Sequence, residues 1–509
     1  MARILPALLV TALAGASFAQ APAPRATAEA PARLALLLRE GRTHLEREDP
    51  VRALAAFRSL QVVAPDDPDV LLGLAATHLF AGAPERARPF IEAVRRADPD
   101  RQDAIALHVR ILIRAAEFER ALRMSTRAVR AAERPSAELL AAHASALFRV
   151  QRTVDAAGVY QQVLLLEPMC AEAHLRLGSG LLSPCRPPFL AELGAGIRLL
   201  RAGDLDGAQR ALRAALRVHP GHPIAHRLLG EALYTQRYLT SMANHARCYR
   251  ELGAALPVPD VSDLPLSQFF PGWSELGAER RKVAARALRL FASRLPRLVT
   301  MRARHDLLLE AERTTDASAR AGLRGKRTFD GRVWDDVRGI GGLQAATGIE
   351  ALDEAGQFGF DTLAHEIAHQ AHLYAFSPLL RAKIHRLYEE AKAAGRCLDF
   401  YAASNDAEYF GQGVEAFSAL GKRPGCEKTH GHTRFELMRV DPQLHDLIAS
   451  LVDFDPLRDP ALRAKLLPLA VEVALASGRP DDAAVAARMM AAGVARDQLL
   501  VRVRRAAAE

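Results

Sequence analysis

Residues 51–57 read VRALAAF, and the same pattern returns as ERARPFI at 85–91 and as ERALRMS at 119–125. The alanines at the shared position are Ala53, Ala87 and Ala121, which gives a period of 34 residues. Segments around Ala156 and Ala208 continue the series, the last after an insertion. A period of this length is typical of stacked helical hairpins, in which a small side chain lets two helices approach closely. The pattern therefore predicts an all-α stack.

This repeat resembles the tetratricopeptide family over residues 31–255, in five or six degenerate units. Prolines stand where the second helix of a unit should end, at Pro65, Pro99, Pro168 and Pro220. Another kind of α-solenoid remains an alternative. The resemblance implies a curved scaffold whose concave face binds a protein or peptide partner.

The composition excludes several other classes of protein. Half of the residues are hydrophobic and 25% are charged, as in ordinary globular chains. Only 6% are aromatic, which favours helices over an all-β fold. The net charge is +9, but the arginines are dispersed along amphipathic segments, so we expect no nucleic-acid partner.

The pattern of the first 19 residues predicts that the protein is exported. Residues 1–19 carry a basic start, a short apolar run and a small-x-small cleavage site, as in a signal peptide. An N-terminal membrane anchor is the alternative interpretation of this segment, but its apolar run is too short to span a bilayer. Residues 20–30 form a Pro/Ala linker, and no later segment is apolar enough to span a membrane. We expect a periplasmic or secreted protein.

A second domain is expected after a Pro/Asp-rich linker at 256–272. Within residues 273–455, the pattern predicts a helix over 274–293, a strand over 297–309 and further extended segments over 332–352. Residues 347–352 are the candidate edge strand for an extended substrate. Residues 456–509 should form a helical tail packed on this domain.

The chemistry lies in His365-Glu366-Ile367-Ala368-His369, an H-E-x-x-H motif. On a helix the two histidines project from one face, one turn apart, and can bind a single Zn²⁺. Glu366 does not ligate the ion. Its carboxylate can take a proton from the water that attacks a carbonyl group and return it to the leaving amine.

The third ligand has two candidates. The metzincin pattern is excluded, because its glycine and third histidine are replaced by His372 and Ala375. Glu408 heads a later helical stretch, but Gln412 stands where a thermolysin-like enzyme would carry aspartate. Glu415, seven residues further on, is either a supporting residue or the ligand itself.

The motif with residues 401–410 resembles the zinc metalloproteases of the anthrax lethal factor and Pro-Pro endopeptidase group. That group carries a tyrosine seven residues before a glutamate in an N-x-x-E-[FY]-F setting, and this chain has Tyr401 and Asn405-Asp406-Ala407-Glu408-Tyr409-Phe410. The resemblance implies Glu408 as the third ligand and Tyr401 as a hydrogen-bond donor to the oxyanion of the reaction intermediate. It also leads us to expect Ala-Glu in place of Gly411-Gln412.

Two further features are weaker. His430 and His432 form a possible ligand pair in a polar loop, although loop histidines are usually solvated. The five cysteines are Cys170, Cys185, Cys248, Cys397 and Cys426. In an exported protein, a Cys397–Cys426 disulfide would bracket the segment with Tyr401 and Glu408.

The predicted fold class is multidomain: an all-α tetratricopeptide solenoid, an α+β zincin-like metalloprotease domain and a C-terminal helical tail. The predicted function is that of an exported zinc metallopeptidase acting on proteins or peptides. The alternatives are a non-catalytic periplasmic interaction scaffold and a zinc amidase acting on cell-wall peptide.

Overall fold

The computed structural model describes residues 29–182, 187–424 and 431–508. The predicted signal peptide lies outside the described residues, as do Cys185, Cys426 and His430. In the described part of the chain, no helix is long and apolar enough to cross a membrane.

The first part of the chain is a row of helical hairpins. Their helices are α1 (Glu29–Glu46), α2 (Pro50–Val63), α3 (Pro68–Phe80), α4 (Pro84–Ala97), α5 (Gln102–Arg114), α6 (Phe118–Ala131), α7 (Ala137–Arg149) and α8 (Thr153–Leu166). The repeat alanines Ala53, Ala87, Ala121 and Ala156 are fully buried between helices. Pro65, Pro99 and Pro168 each stand two residues beyond the end of a second helix. The predicted helical register is confirmed.

The row is then interrupted. Helix α9 (Ala171–Arg176) ends in a π-helical turn, Leu177–Leu181, at the predicted insertion. It is followed by α10 (Ala191–Arg201), α11 (Leu205–Val218) and the long α12 (Pro223–Ala255). Helix α9 packs on α12, where His174 Nδ1 lies 2.8 Å from His226 Nδ1.

The region after α12 contains fewer strand residues than predicted. It contains α13 (Leu266–Phe269), α14 (Ala278–Arg289), α15 (Leu295–Thr300) and β1 (Arg304–Leu308). The predicted strand over 297–309 is therefore wrong in its first half. Pro296 stands in the first turn of α15, where a proline lacking an N–H is tolerated and its φ suits a helix.

A small mixed sheet follows. Strands β2 (Gly339–Ile340) and β3 (Gln344–Gly348) join β1 in the order β1-β3-β2, with β3 parallel to β1 and antiparallel to β2. The predicted edge strand over 347–352 is wrong, because β3 is central and residues 350–356 form helix α16 (Glu350–Gly356). Within the described residues, the α+β character of this region rests on these three strands.

The remaining helices surround an apolar core next to the sheet. They are α17 (Thr362–Gln370), α18 (Pro378–Ala393), α19 (Asp406–Ser418), α20 (Arg434–Val440), α21 (Pro442–Leu451), α22 (Pro460–Ala476), α23 (Pro480–Arg488) and α24 (Val494–Ala508). Helix α17 packs on α14, α19 and β3. The H-E-x-x-H motif is thus on a helix at the centre of this region, as predicted.

The C-terminal tail packs differently from the expectation. Its helices share an apolar core with the last turns of α12, in which Tyr249 and Leu252 contact the group containing Leu466 and Leu467. Helix α23 also contacts α20. The tail therefore joins the solenoid to the region that carries the motif, rather than packing on that region alone.

Ion pairs connect the solenoid to the later region as well. Arg201 makes a bidentate pair with Glu310, at 3.0 and 2.6 Å. Arg227 on α12 is buried, pairs with Glu231 at 3.0 Å, and lies 3.6 Å from Glu350 at the start of α16. Because these contacts span both parts of the chain, the solenoid fixes the position of the region behind the motif.

Candidate metal centre

Helix α17 is held at both ends. Asp361 accepts a hydrogen bond from the N–H of Ala364 at 3.0 Å and so caps the first turn. At the other end, the buried Gln370 side chain lies 3.1 Å from His305 Nδ1 on β1 and donates to Arg304 O at 3.2 Å. The face that carries the two motif histidines is therefore fixed by the sheet and by the cap.

The two histidines converge through their Nε2 atoms. His365 Nε2 and His369 Nε2 are 2.9 Å apart, and both rings are buried. Glu408 Oε2, from the first turn of α19, lies 3.1 Å from His365 Nε2 and 3.5 Å from His369 Nε2. The structure thus brings together the three residues that the sequence analysis named.

This donor set fits zinc. The three ligand atoms lie within 4.8 Å of one another, and two imidazole nitrogens with one carboxylate oxygen are a set that Zn²⁺ binds. Within the described residues, the Nδ1 atoms of both histidines are buried and have no hydrogen-bond partner. Two imidazole nitrogens and one carboxylate oxygen this close together would all face a cation bound between them.

Glu408 is ionised in this arrangement. Burial alone would raise the pKa of its carboxyl, but the hydrogen bonds from His365 and His369 outweigh burial and hold that pKa well below its usual range. Asn405 caps α19 by accepting a hydrogen bond from the N–H of Glu408 at 2.9 Å. The carboxylate is thus both charged and fixed by the start of its helix.

Gly411 explains one departure from the family pattern. A Cβ atom at this position would lie 2.9 Å from Cε1 of His365 and 2.9 Å from Cε1 of His369. Helix α19 approaches the imidazole rings so closely that the expected alanine does not fit without moving them. The glycine therefore allows the close packing of the two helices, α17 and α19, that carry the three donor residues.

Glu366 lies beside the three donor atoms and against the sheet. A Cβ atom at Gly339 on β2 would be 2.7 Å from its Oε1. Burial raises the pKa of the Glu366 carboxyl to about 8. A cation held by the neighbouring donor atoms would lower this pKa and favour the ionised carboxylate that a general base needs.

Tyr401 lies next to Glu408, on the side of the donor residues that faces the solenoid. Its hydroxyl donates to Glu408 Oε1 at 3.3 Å. Burial, and then the charge of Glu408, raise its pKa well above the usual value, so the phenol stays protonated and remains a donor. The backbone N–H groups of Tyr401 and Ala402 both donate to Asp399 Oδ1 at 2.8 Å.

His432 has a role that the sequence analysis missed. Its side chain is 12% exposed, with ring nitrogens 3.2 Å from Asp399 Oδ2 and 3.1 Å from Glu436 Oε2. Burial alone would lower its pKa, but the two carboxylates raise it to about 9. His432 is therefore a charged hydrogen-bond partner of Asp399. It is neither a solvated loop residue nor part of the donor group formed by His365, His369 and Glu408. No motif marks this contact in the sequence.

Glu415 lies apart from the donor atoms. Its Oε1 accepts hydrogen bonds from the N–H of Asp361, at 3.0 Å, and from the buried ammonium of Lys422. Lys422 also donates to Gly359 O at 2.8 Å. Glu415 therefore supports the start of α17, and the alternative of Glu415 as a ligand has no geometric support.

Cys397 is a free thiol in the structure, and burial raises its pKa to about 11. Its expected partner Cys426 lies outside the described residues. The predicted disulfide therefore lies partly outside the described residues and stays a prediction.

Comparison with known families identifies tetratricopeptide repeats in two parts of the chain, residues 44–111 and 193–240. No curated protein matches the chain. Both matched segments lie in the solenoid, which therefore contains tetratricopeptide repeats.

Solved structures of repeat proteins are similar to parts of the chain. A tetratricopeptide repeat protein of Thermus thermophilus is 20% identical, with 40% of this chain and 99% of that protein aligned and a TM-score of 0.29. The type IV pilus biogenesis factor PilW is 11% identical over 43% of this chain and 93% of its own, with a TM-score of 0.27. A tetratricopeptide repeat protein of Parabacteroides merdae is 13% identical over 50% and 84%, with a TM-score of 0.24.

Proposed function

We propose that the chain is a zinc-dependent peptidase that hydrolyses peptide bonds of protein substrates. The convergence of two histidine nitrogens and one glutamate oxygen, from His365, His369 and Glu408, carries the proposal. The tetratricopeptide repeats would hold the substrate or a partner, since such repeats form protein-binding surfaces.

The zinc ion would supply Lewis acidity toward a carbonyl oxygen. Glu366, one residue from a ligand and buried beside the donor atoms, would take a proton from the attacking water and return it to the leaving amine. Tyr401 would donate its O–H to the oxygen that becomes negative, because a neutral phenol is such a donor at neutral pH.

The repeats by themselves favour a second candidate, a scaffold that binds proteins without cleaving them. A scaffold needs neither a buried carboxyl beside the ligands nor a phenol directed at them. Glu366 and Tyr401 therefore favour hydrolysis. An amidase acting on cell-wall peptide would use the same residues and differs only in its substrate.

The test is incubation of the purified protein with a broad peptide library, with and without a chelator, followed by mass spectrometry. A peptidase gives new termini that disappear with the chelator and return when zinc is added. Cleavage confined to cell-wall peptides would identify the amidase. Intact peptides in every sample, from protein that contains stoichiometric zinc, would support the scaffold.

We also propose that the protein acts outside the cytoplasm, in the periplasm or the medium, because residues 1–19 have the pattern of a signal peptide. N-terminal sequencing of protein recovered from those compartments should give Gln20 as the first residue or one close to it. Uncleaved protein confined to the cytoplasm would contradict the proposal.

A further inference from the structure

The turn that carries Tyr401 lies against the solenoid. Phe400 makes an edge-on ring contact with Phe118 at the start of α6, with centroids 5.2 Å apart. The guanidinium of Arg149, at the end of α7, lies 4.6 Å from the Phe400 ring centroid and 5.3 Å from that of Phe148. The solenoid thus places a cation against the residue that precedes the predicted oxyanion donor.

A loop from the later region bridges the same two parts. The backbone N–H of Val333 donates to Gly180 O at 2.8 Å, next to the end of α9. Phe329 lies against the Tyr401 ring, with centroids 6.1 Å apart. Arg332 in the same loop also lies against the solenoid, since a Cβ atom at Gly180 would be 3.0 Å from Arg332 Cβ.

Arg176 on α9 adds another positive charge. Its guanidinium lies 4.9 Å from the Phe148 ring centroid, and its charge lowers the pKa of Arg149. Two cations from successive hairpins of the solenoid therefore share one aromatic side chain. Like charges held this close repel each other unless an anion lies between them or nearby.

The carboxylates nearby already have partners. Asp330 accepts a hydrogen bond from Arg332 at 2.8 Å. Glu172 accepts from Arg110 at 2.9 Å and from Ser145 at 2.6 Å. Within the described residues, Arg149 and Arg176 have no ion pair with a carboxylate, and both remain partly exposed to solvent. The charges of Asp330 and Glu172 do act on Arg149 and Arg176 without forming ion pairs with them. Even so, the four arginines named on this surface outnumber its two carboxylates, which leaves an excess of positive charge.

Stacking on aromatic rings stabilises a guanidinium but leaves its N–H donors unused. A planar guanidinium matches a carboxylate with two parallel hydrogen bonds, and such pairs are the strong ones. Burial already lowers the pKa of Arg149, to about 9, which shows how poorly water solvates this cation. A carboxylate arriving with a ligand would meet both arginines in a partly desolvated place.

We infer that Arg149 and Arg176 bind a carboxylate of the peptide substrate, so that the enzyme cleaves bonds close to an acidic group. The inference rests on the proposed peptidase function, which it deepens by naming the class of substrate. The solenoid then contributes directly to specificity at the active site, in addition to any partner that it binds. The carboxylate is either that of an internal Asp or Glu side chain or that of the peptide's C-terminus.

The binding test uses zinc-loaded Glu366→Gln protein, which should hold peptide without hydrolysing it. Fluorescent peptides that differ only by Glu or Gln at one position are titrated at low salt. Because hydrogen bonds between charged groups are stronger than those of neutral amides, the best Glu peptide should bind about tenfold more tightly, or better, than its Gln partner. Amidated peptides form a second arm, in which loss of binding without dependence on an internal Glu assigns the terminal carboxylate.

The variants Arg149→Met and Arg176→Met should each bring the Glu/Gln ratio toward one, whereas Arg149→Lys should keep part of it. Arg127→Met is the matched control, since Arg127 is an exposed arginine on α6. Preservation of the ratio in both methionine variants would overturn the inference, as would equal binding of Glu and Gln peptides together with no effect of amidation. If Arg149→Met does not fold, Arg176→Met decides.

Cleavage rates of the same peptides by the active enzyme separate the two proposals. Cleavage without any preference for a carboxylate would overturn this inference and leave the peptidase intact. Acid-selective binding by zinc-loaded protein that cleaves no peptide would support the carboxylate site and contradict the peptidase.

Discussion

The two imidazole rings and Gly411 occupy one small volume. A methyl group at position 411 would lie 2.9 Å from a carbon of each ring, which is closer than such contacts normally are. The rings would have to turn, and the Nε2 atoms would lose their common direction. The packing around His365 and His369 is therefore as specific here as the choice of the donor residues themselves.

Gly411→Ala should weaken zinc binding about tenfold or more, the usual effect of disturbing the support of a ligand. Competition with a fluorescent chelator measures the affinity. Gly158→Ala is the control, because a Cβ at that helical position meets nothing within 4 Å. Equal zinc affinities of the two variants would show that the imidazoles tolerate the methyl group.

His432 makes the Tyr401 turn dependent on pH. Its pKa is about 9 in the folded chain and about 6.5 when unfolded, so its contribution to stability is complete below pH 6.5 and is lost as pH rises through 9. His432→Gln should cost on the order of 2 kcal/mol at pH 6, and that cost should shrink toward pH 10. Denaturant unfolding at the two pH values checks this. A cost independent of pH would contradict the charged state of His432.

Helix α17 begins next to a buried ion pair, which contacts its capping residue Asp361. Glu415 and Lys422 are almost completely buried, and Glu415 also accepts the N–H of Asp361. Removing one partner of such a pair leaves an uncompensated charge in the interior. The pair therefore positions the first turn of the motif helix.

Lys422→Met should destabilise the protein by about 3–5 kcal/mol, and the double variant Lys422→Met/Glu415→Gln by less. Denaturant unfolding measures both. Glu415→Gln alone should keep stoichiometric zinc, because Glu415 does not belong to the donor group. Loss of zinc in that variant, with Glu408 intact, would move the third ligand to Glu415.

The helices are easier to predict from the sequence than the strands. A 34-residue repeat defines helices by contacts inside each hairpin, and H-E-x-x-H requires a helix for its spacing to bind one ion. The strand β3 depends instead on the distant β1, where Arg304 pairs with Gln344. Such distant pairing leaves little local signal, and for this reason the strand predicted over 347–352 is wrong.

In the whole molecule, the solenoid packs against the region that carries the H-E-x-x-H motif. Arg237 on α12 lies 2.7 Å from Glu48 before α2, so the last helix of the solenoid returns to the first hairpin. The tail then covers the end of α12. Neither the contact of α12 with the first hairpin nor the contact of the tail with α12 could be predicted from the sequence. The repeat pattern describes only the packing of neighbouring hairpins.

The fold should be sensitive to acid. Burial lowers the pKa of His226 to about 3 and that of His305 to about 4, while the unfolded side chains titrate near 6.5. As pH falls below 6.5 the unfolded chain binds protons first, so the contribution of these two histidines to stability is complete above 6.5 and is lost toward pH 3. Thermal unfolding should show a melting temperature that falls steeply between about pH 6.5 and 4. A constant melting temperature over that range would contradict it.

We propose that His365, His369 and Glu408 hold zinc and that Glu366 acts beside the ion as the base in peptide hydrolysis. Zinc content and peptide turnover of Glu366→Gln, measured beside the wild-type protein, test this proposal. We expect one zinc per chain in both proteins, with turnover abolished in the variant. Full turnover in Glu366→Gln, at equal zinc content, would show that Glu366 is not the base and that hydrolysis does not proceed as proposed.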